Sequence, residues 1–354
     1  MSDRVFVHIG APKTGTTYLQ ETLHQNREAL QEAGVLYPTI SGDAHHTTLW
    51  DLRNLSEKRK FGQDIRGHWD TTVGAAREWP GHTTVISSEL FVYLGNEMAN
   101  RVLDAWGDAE VHVIYTARDL VRQVPAVWQE RMKNGNTLAY GDFVADVLGK
   151  RKTGMAKGFW NAQDAEGALA RWAQGIDPRH IHVVTAPLSG AAPDLLWHRF
   201  AGVLGVDGTR YPAKVSAANP SIGVTSAELL RRLNVRHGQH LSVMRYRRIV
   251  RRGLFDVLAG AVEDTTKLPL TAEQRQALHE LSVQKVGAME RAGYDVVGSL
   301  DELVPAEPTR AEKKRAAAKT PDDVTDDEVV DALLDVVFDM LKSRHRGAST
   351  RKRT

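Results

Sequence analysis

Short apolar runs alternate with amphipathic stretches along the first 300 residues of the chain. Runs rich in β-branched residues predict five buried strands, at residues 5–9, 35–37, 83–87, 111–116 and 181–185. Apolar positions three and four residues apart predict helices between them, the first from Thr16 to Ala33 and later ones near 194–204 and 225–234. Strands alternating with helices indicate right-handed βαβ crossovers, so we predict an α/β fold with a parallel sheet and helices on both faces.

The pattern changes near residue 304, which we take as the end of a first domain, 1–304. Residues 305–323 are rich in Pro, Ala and charge and are typical of a linker. An acidic amphipathic helix is predicted at 324–345, opened by a Thr-x-x-Glu capping box at Thr325. A basic tail at 346–354 is predicted to be disordered, which leaves the fold with a C-terminal helical appendage.

Composition narrows the class of protein only a little. The 354 residues carry a formal net charge of +2, which gives no reason to expect a nucleic-acid partner. The absence of cysteine excludes disulfides, thiolate metal sites and a cysteine nucleophile. No run approaches the ~18–20 apolar residues of a membrane span, and no signal-peptide pattern precedes the first strand. We therefore expect a cytoplasmic protein without a transmembrane segment.

The most informative segment follows the first predicted strand. Gly10-x-x-x-x-Gly15 has the spacing of a phosphate-binding P-loop, and a helix begins at Thr16. A strand, a Gly-bounded loop and a helix N-terminus direct backbone N–H groups toward one bound anion. Thr16 stands where a nucleotide triphosphatase needs lysine, and the loop's lysine is Lys13 instead. The loop suits a phosphate but suits ATP or GTP poorly.

Pro-Lys-Thr-Gly-Thr-Thr at residues 12–17 resembles the 5′-phosphosulfate-binding loop of sulfotransferases that use 3′-phosphoadenosine 5′-phosphosulfate. That cofactor has no γ-phosphate, so the resemblance implies that no metal is required. It also implies that Lys13 stabilises the leaving phosphate. The remaining cofactor-binding residues implied here are Thr14, Gly15, Thr16 and Thr17 as the cradle and Tyr18 beside the adenine. The resemblance extends the fold prediction to a P-loop-type sheet.

A second segment, Tyr115 to Arg122, resembles the part of the same family that binds the 3′-phosphate. The resemblance places Arg118 on that phosphate, which a guanidinium grips through two hydrogen bonds. Arg122 is an alternative or additional phosphate contact. The family has a serine eight residues after the arginine, where this chain has Ala126, so Gln123 or another segment would have to replace that hydroxyl.

A base must remove the proton of the acceptor hydroxyl, and two candidates remain open. In the family the base follows a strand, and at the comparable point this chain has Glu89, which can act if burial raises its pKa. The competing candidate is His46 of the pair His45-His46, because histidine needs little tuning for base chemistry. No metal-ligand spacing accompanies this pair.

The predicted activity is in-line transfer of a sulfuryl group to a hydroxyl of a small molecule such as a sugar, a phenol or a lipid headgroup. A P-loop small-molecule kinase and a non-catalytic nucleotide-binding module are the alternatives. Ser221 lies in a loop, 219–223, that resembles one in bacterial sulfotransferases and is expected near the nucleotide. The arginine-rich segment 245–252 is either a binding surface for an anion or a solvated helix face.

Overall fold

A computed structural model describes most of the chain. The described residues are 2–40, 45–54, 64–151, 153–213, 222–255, 257–258, 268–307, 309–310 and 318–350. Among them, no helix combines the length and the apolar character that crossing a membrane requires. Ser221 and residues 351–354 lie outside the described residues, as does much of the predicted linker.

One parallel sheet organises the chain. Its strands are β1 Arg4–Gly10, β2 Val35–Leu36, β3 Thr83–Ser87, β4 Glu110–Ala117, β5 Ile181–Thr185 and β6 Asp295–Val297, in the order β2-β3-β1-β4-β5-β6. Every strand pair is parallel, which confirms the predicted α/β class. The five predicted strands are present, and β6 is an additional one. It was not predicted because its three residues, Asp-Val-Val, are too short to show a period.

Helices connect the strands. Among the described residues, the α-helices are α1 Thr16–Gln25, α2 Arg27–Glu32, α3 His46–Leu52, α4 His68–Glu78, α5 Asn96–Asp104, α6 Leu120–Lys133, α7 Tyr140–Leu148, α8 Gly154–Gln163, α9 Ala165–Trp172, α10 Leu195–Val203, α11 Val224–His237, α12 Val243–Tyr246, α13 Ala272–Ala292 and α14 Asp326–Thr350. A π-helix covers Arg247–Leu254, and 3₁₀ turns lie at Phe91–Tyr93, Pro178–His180, Gly208–Arg210, Gly238–His240, Leu300–Leu303 and Pro321–Asp323.

The predicted first helix, Thr16 to Ala33, is broken in two at Asn26. The Asn26 side chain donates to the carbonyl of Thr22 over 2.9 Å, and the backbone N–H of Asn26 donates to the same oxygen. An asparagine side chain that competes for a helix carbonyl favours a break. The chain therefore turns there before α2 begins.

The two faces of the sheet are covered by separate apolar clusters. Alternate residues of β1 divide between them: Val5, Val7 and Ile9 belong to one cluster and Phe6 belongs to the other. The first cluster also receives side chains of α4, α5 and α9, and the second receives those of α1, α2 and α10. This division follows from the two-residue period of a strand and confirms helices on both faces.

The chain divides into two compact units. One comprises residues 1–123, 152–216 and 278–306 and contains the sheet; the other comprises 124–151, 217–277 and 307–354. Within the second unit, the Arg232 side chain pairs with Asp326 and also donates to the carbonyl of Val324 over 2.9 Å. These contacts attach the start of α14 to α11.

The C-terminal helix begins as the sequence indicates. Thr325 and Glu328 form the predicted capping box, with the Thr325 N–H donating to the Glu328 carboxylate over 2.8 Å. The helix continues to Thr350, so it includes residues 346–350 of the segment predicted as a tail.

Candidate active site

The loop after β1 has the backbone geometry of an anion cradle. Gly10, Lys13 and Gly15 all have positive φ, at 113°, 69° and 97°. A side chain at Gly15 would be strained by the positive φ, and its Cβ would displace the Leu196 side chain, which it would approach within 2.4 Å. Lys13 is a non-glycine residue in the left-handed region, an uncommon conformation that is concentrated at functional sites.

Backbone N–H groups remain unpaired at the start of α1. Within the described residues, no acceptor contacts the N–H of Thr14, Gly15, Thr16 or Thr17. The first N–H groups of a helix have no partner inside that helix, and the positive end of its dipole favours an anion. This end of the loop can therefore receive a phosphate or sulfate group.

A row of buried hydrogen bonds connects the sheet to the loop. His8 Nδ1 lies 2.7 Å from Ser87 Oγ, His8 Nε2 lies 3.4 Å from Thr116 Oγ1, and Thr116 Oγ1 lies 2.5 Å from Thr14 Oγ1. The row ends at the carbonyl of Ala11, which accepts from Thr14 over 2.6 Å. It thus links β3, β1 and β4 to the loop.

The end of the row sets the direction of its first three bonds. Because the carbonyl can only accept, Thr14 donates to it and accepts from Thr116, and Thr116 in turn accepts from His8 Nε2–H. Burial lowers the pKa of His8 to about 3, so its imidazole is neutral and its Nδ1 accepts from Ser87. In the sequence, His8 is a lone polar residue in an apolar strand, a pattern that does not distinguish a site residue from a buried structural one.

Arg118 follows β4 and contacts the loop directly. Its Nη1 donates to the carbonyl of Lys13 over 3.1 Å, and no ion pair joins it to any described carboxylate. Burial and the nearby charge of Arg122 lower the pKa of Arg118. A half-buried guanidinium held against the phosphate loop leaves further N–H donors for an anion.

Arg122 is engaged differently. It pairs with Asp119 and donates to the carbonyl of Pro187 over 2.9 Å. It therefore ties the segment after β5 to the start of α6. Its contact with phosphate stays a prediction.

Two glutamine side chains also donate hydrogen bonds to the backbone of the loop. Gln123 and Gln163 donate to the carbonyl of Pro12 over 2.9 and 3.1 Å, and Gln123 also donates to Gln163 over 2.7 Å. Gln123, considered above as a replacement for the missing serine hydroxyl, thus contacts the loop backbone. Gln163 carried no sequence signal.

The two candidate bases lie beside each other. Glu89 Oε1 is 3.9 Å from His46 Nε2, and Glu89 Oε2 accepts from Gln20 over 3.0 Å. The backbone of Glu89 packs on the loop, since a Cβ at Gly10 would come 3.1 Å from Glu89 Cα. Both side chains are partly open to solvent, 20% exposed for Glu89 and 26% for His46. The structure thus brings both candidates to the carboxyl end of β3.

The ring of His45 is held by hydrogen bonds to the backbone. Its ring is buried, accepts from the N–H of Ser87 at Nδ1 over 3.2 Å, and donates from Nε2 to the carbonyl of Pro38 over 2.5 Å. Both ring nitrogens are used, so His45 is a poor candidate for proton transfer.

Tyr18 is half-buried on α1, and its burial together with the charge of Asp194 raises the pKa of its phenol. A small cleft of about 30 Å³ opens beside Arg118. Its lining residues include Arg118, Gln163, Ser282 and Lys285. The Ser282 hydroxyl is buried and has no hydrogen-bond partner among the described residues.

No family model matches the chain, and no curated protein matches it. Among solved structures, a sulfotransferase from Alicyclobacillus acidocaldarius has 13% sequence identity with this chain. The comparison covers 83% of this chain and 96% of that chain, with a TM-score of 0.43. Because one fold hosts many chemistries, function has to be inferred from the site itself.

Proposed function

We propose that this chain is a sulfotransferase that uses 3′-phosphoadenosine 5′-phosphosulfate and modifies a hydroxyl of a small molecule. The observation that carries the proposal is a loop with unpaired N–H groups that contacts both a guanidinium, Arg118, and a carboxylate residue, Glu89. The loop and these two residues together provide what sulfuryl transfer needs: a cradle for the phosphosulfate, a cation and a base.

The residues present fit the cofactor. The N–H groups of Thr14, Gly15, Thr16 and Thr17 would bind its 5′-phosphosulfate, while the hydroxyl of Thr14 is engaged with the loop itself. Arg118 would bind the 3′-phosphate. The unpaired Ser282 hydroxyl in the same cleft is our candidate for the contact that Ala126 cannot make. When bound, the cofactor supplies the sulfuryl group.

Glu89 would accept the proton of the acceptor hydroxyl as its oxygen forms a bond to sulfur. In-line transfer would break the bond from sulfur to the phosphate oxygen on the opposite side, and Lys13 would stabilise the charge on the departing 3′,5′-bisphosphoadenosine. His46 would orient the Glu89 carboxylate and line the acceptor side, where its ring centroid lies 6.2 Å from that of Trp50. Trp50 can pack against a sugar, a phenol or a lipid headgroup.

The test is turnover with a panel of hydroxyl acceptors, measured as formation of 3′,5′-bisphosphoadenosine. We expect Lys13→Ala to lower turnover by at least ~100-fold, as loss of a transition-state charge contact does. Lys157→Ala, which removes an exposed lysine of α8, is the matched control and should be unchanged. A Lys13→Ala enzyme with normal turnover would remove Lys13 from the mechanism.

Calorimetry separates the alternatives. Preferential binding of 3′,5′-bisphosphoadenosine over ATP–magnesium supports the sulfotransferase, whereas the reverse preference would indicate a small-molecule kinase. Binding without turnover of any acceptor would favour a non-catalytic nucleotide-binding module.

A further inference from the structure

A row of histidines and carboxylates lies at the amino end of the sheet, away from the phosphate loop. His112 Nε2 is 2.8 Å from Glu110 Oε1, and His112 Nδ1 is 2.8 Å from His182 Nε2. His182 Nδ1 is 2.6 Å from Asp295 Oδ2. At about 3.3 Å per strand residue, His112 and Arg118 are roughly 20 Å apart along β4, so the row is separate from the candidate active site.

With both imidazoles neutral, the row has one N–H group fewer than it has contacts. Both ends are half-exposed carboxylates, which only accept, and each neutral imidazole carries one N–H. Two N–H groups must therefore serve three contacts. If Asp295 accepts from His182 and His182 accepts from His112, the Nε2 lone pair of His112 faces the Glu110 carboxylate. Two acceptors 2.8 Å apart are held together by a proton or by a cation.

His180 completes a set of ligands around that gap. Its Nε2 lies 3.8 Å from Glu110 Oε2, and its ring centroid is 4.4 Å from that of His112. One ligand atom from each of Glu110, His112 and His180 lies within 4.8 Å of the others. Zinc bonds of 2.0–2.1 Å place tetrahedral ligand atoms about 3.3 Å apart, so side-chain rotations would have to bring these atoms closer together.

We propose that Glu110, His112 and His180 bind a divalent transition metal of the zinc type, with His182 and Asp295 holding His112 in the tautomer that coordination requires. A histidine ligand usually donates its second N–H to an acceptor that fixes its tautomer, and His182, bound in turn to Asp295, is in place to accept from His112. Imidazole and carboxylate ligands favour zinc over magnesium, which prefers oxygen ligands alone.

The bound ion joins β4 to the turn before β5. Glu110 and His112 belong to β4, and His180 ends the 3₁₀ turn Pro178–His180. An ion that binds only the folded chain raises its thermal stability. The site therefore acts on stability, independently of the function proposed above.

The experiment uses the full chain without an affinity tag, stripped with a chelator and titrated with zinc chloride in a calorimeter. We expect one zinc per chain and a higher melting temperature with zinc but not with magnesium. Glu110→Gln and His180→Ala change partly exposed ligands and should abolish this binding without unfolding the chain. Asp295→Asn should weaken it by about 10–100-fold, as loss of an outer contact does.

His198→Ala is the matched control. His198 Nε2 on α10 lies 3.7 Å from Asp194, the residue before that helix, so this pair resembles the ligand pair but lies outside the set. Zinc affinity equal to wild type in Glu110→Gln and His180→Ala, or no stoichiometric binding by the wild type, would overturn the proposal. Wild-type affinity in Asp295→Asn would overturn the role given to His182 and Asp295.

Discussion

At the scale of single residues, the two arginines of the candidate site differ in their contacts. Arg118 donates to the carbonyl of Lys13 and makes no ion pair among the described residues, whereas Arg122 is paired with Asp119. A guanidinium without a carboxylate partner is the better anion receptor, because binding does not require an existing ion pair to break.

Arg118→Ala should weaken binding of 3′,5′-bisphosphoadenosine by ~2–4 kcal/mol and leave 5′-AMP almost unchanged, since only the former carries a 3′-phosphate. Ser282→Ala should have the same selectivity with a smaller loss of ~1 kcal/mol. Titration calorimetry with both nucleotides measures the difference, and Arg101→Ala, on the exposed face of α5, serves as control. Equal weakening of both nucleotides would assign Arg118 to another contact.

The neighbouring pair Glu89 and His46 calls for a test that separates proton transfer from orientation. Glu89→Gln keeps the shape and can still accept from Gln20, but it cannot take a proton. Turnover should fall by ~10²–10⁴-fold with nucleotide affinity intact, and His46→Gln should cost far less. An inactive His46→Gln beside an active Glu89→Gln would reverse the two roles.

At the scale of elements, the row from Ser87 to the loop through His8 joins three strands to the phosphate cradle. His8 is fully buried and stacks edge-on against Phe200 with 5.1 Å between ring centroids. The neutral form of His8, which burial favours, accepts from Ser87 at Nδ1 and donates to Thr116 at Nε2. The row therefore ties the geometry of the loop to the protonation of His8.

This burial predicts an acid-sensitive stability. The pKa of His8 falls from 6.5 to about 3 on folding, so between these pH values the unfolded chain binds a proton that the folded chain does not. The free energy of unfolding therefore decreases as pH falls through this window, by at most about 1.4 kcal/mol per pH unit from His8. Urea unfolding at several pH values gives the free energy of unfolding as a function of pH. Its dependence on pH should be weaker for His8→Gln than for the wild type. Identical slopes would exclude His8 as the source.

At the scale of the whole molecule, the chain forms two units, and the C-terminal helix belongs to the second. Ala332 and Val336 are buried, at 4% and 1% exposed, while Leu334 and Phe338 remain exposed. One side of α14 is therefore part of the packed structure, in addition to the contacts of Arg232 with its first turn.

Removing residues 326–354 should lower the free energy of unfolding by ~2–4 kcal/mol, because it exposes apolar surface on α11 and leaves Arg232 without Asp326. Removing only residues 351–354 is the control and should leave thermal melting unchanged. Equal melting temperatures for the full chain and the longer truncation would show that α14 adds no stability.

The sequence by itself determined the features that depend on neighbours along the chain. Strand and helix periods predicted the α/β class, the glycine spacing predicted the loop, and Thr325 with Glu328 predicted a capping box. These signals are local, since a period or a cap involves residues a few positions apart.

Only the tertiary structure decided what depends on strand order. His8 meets Ser87 across 79 residues and His182 meets Asp295 across 113, because β1 lies beside β3 and β5 beside β6. Strand order likewise brings β6 into the sheet and places Glu89 beside His46. Parallel strands bring together residues that the crossovers separate widely in sequence, and no local pattern records which strands will be neighbours.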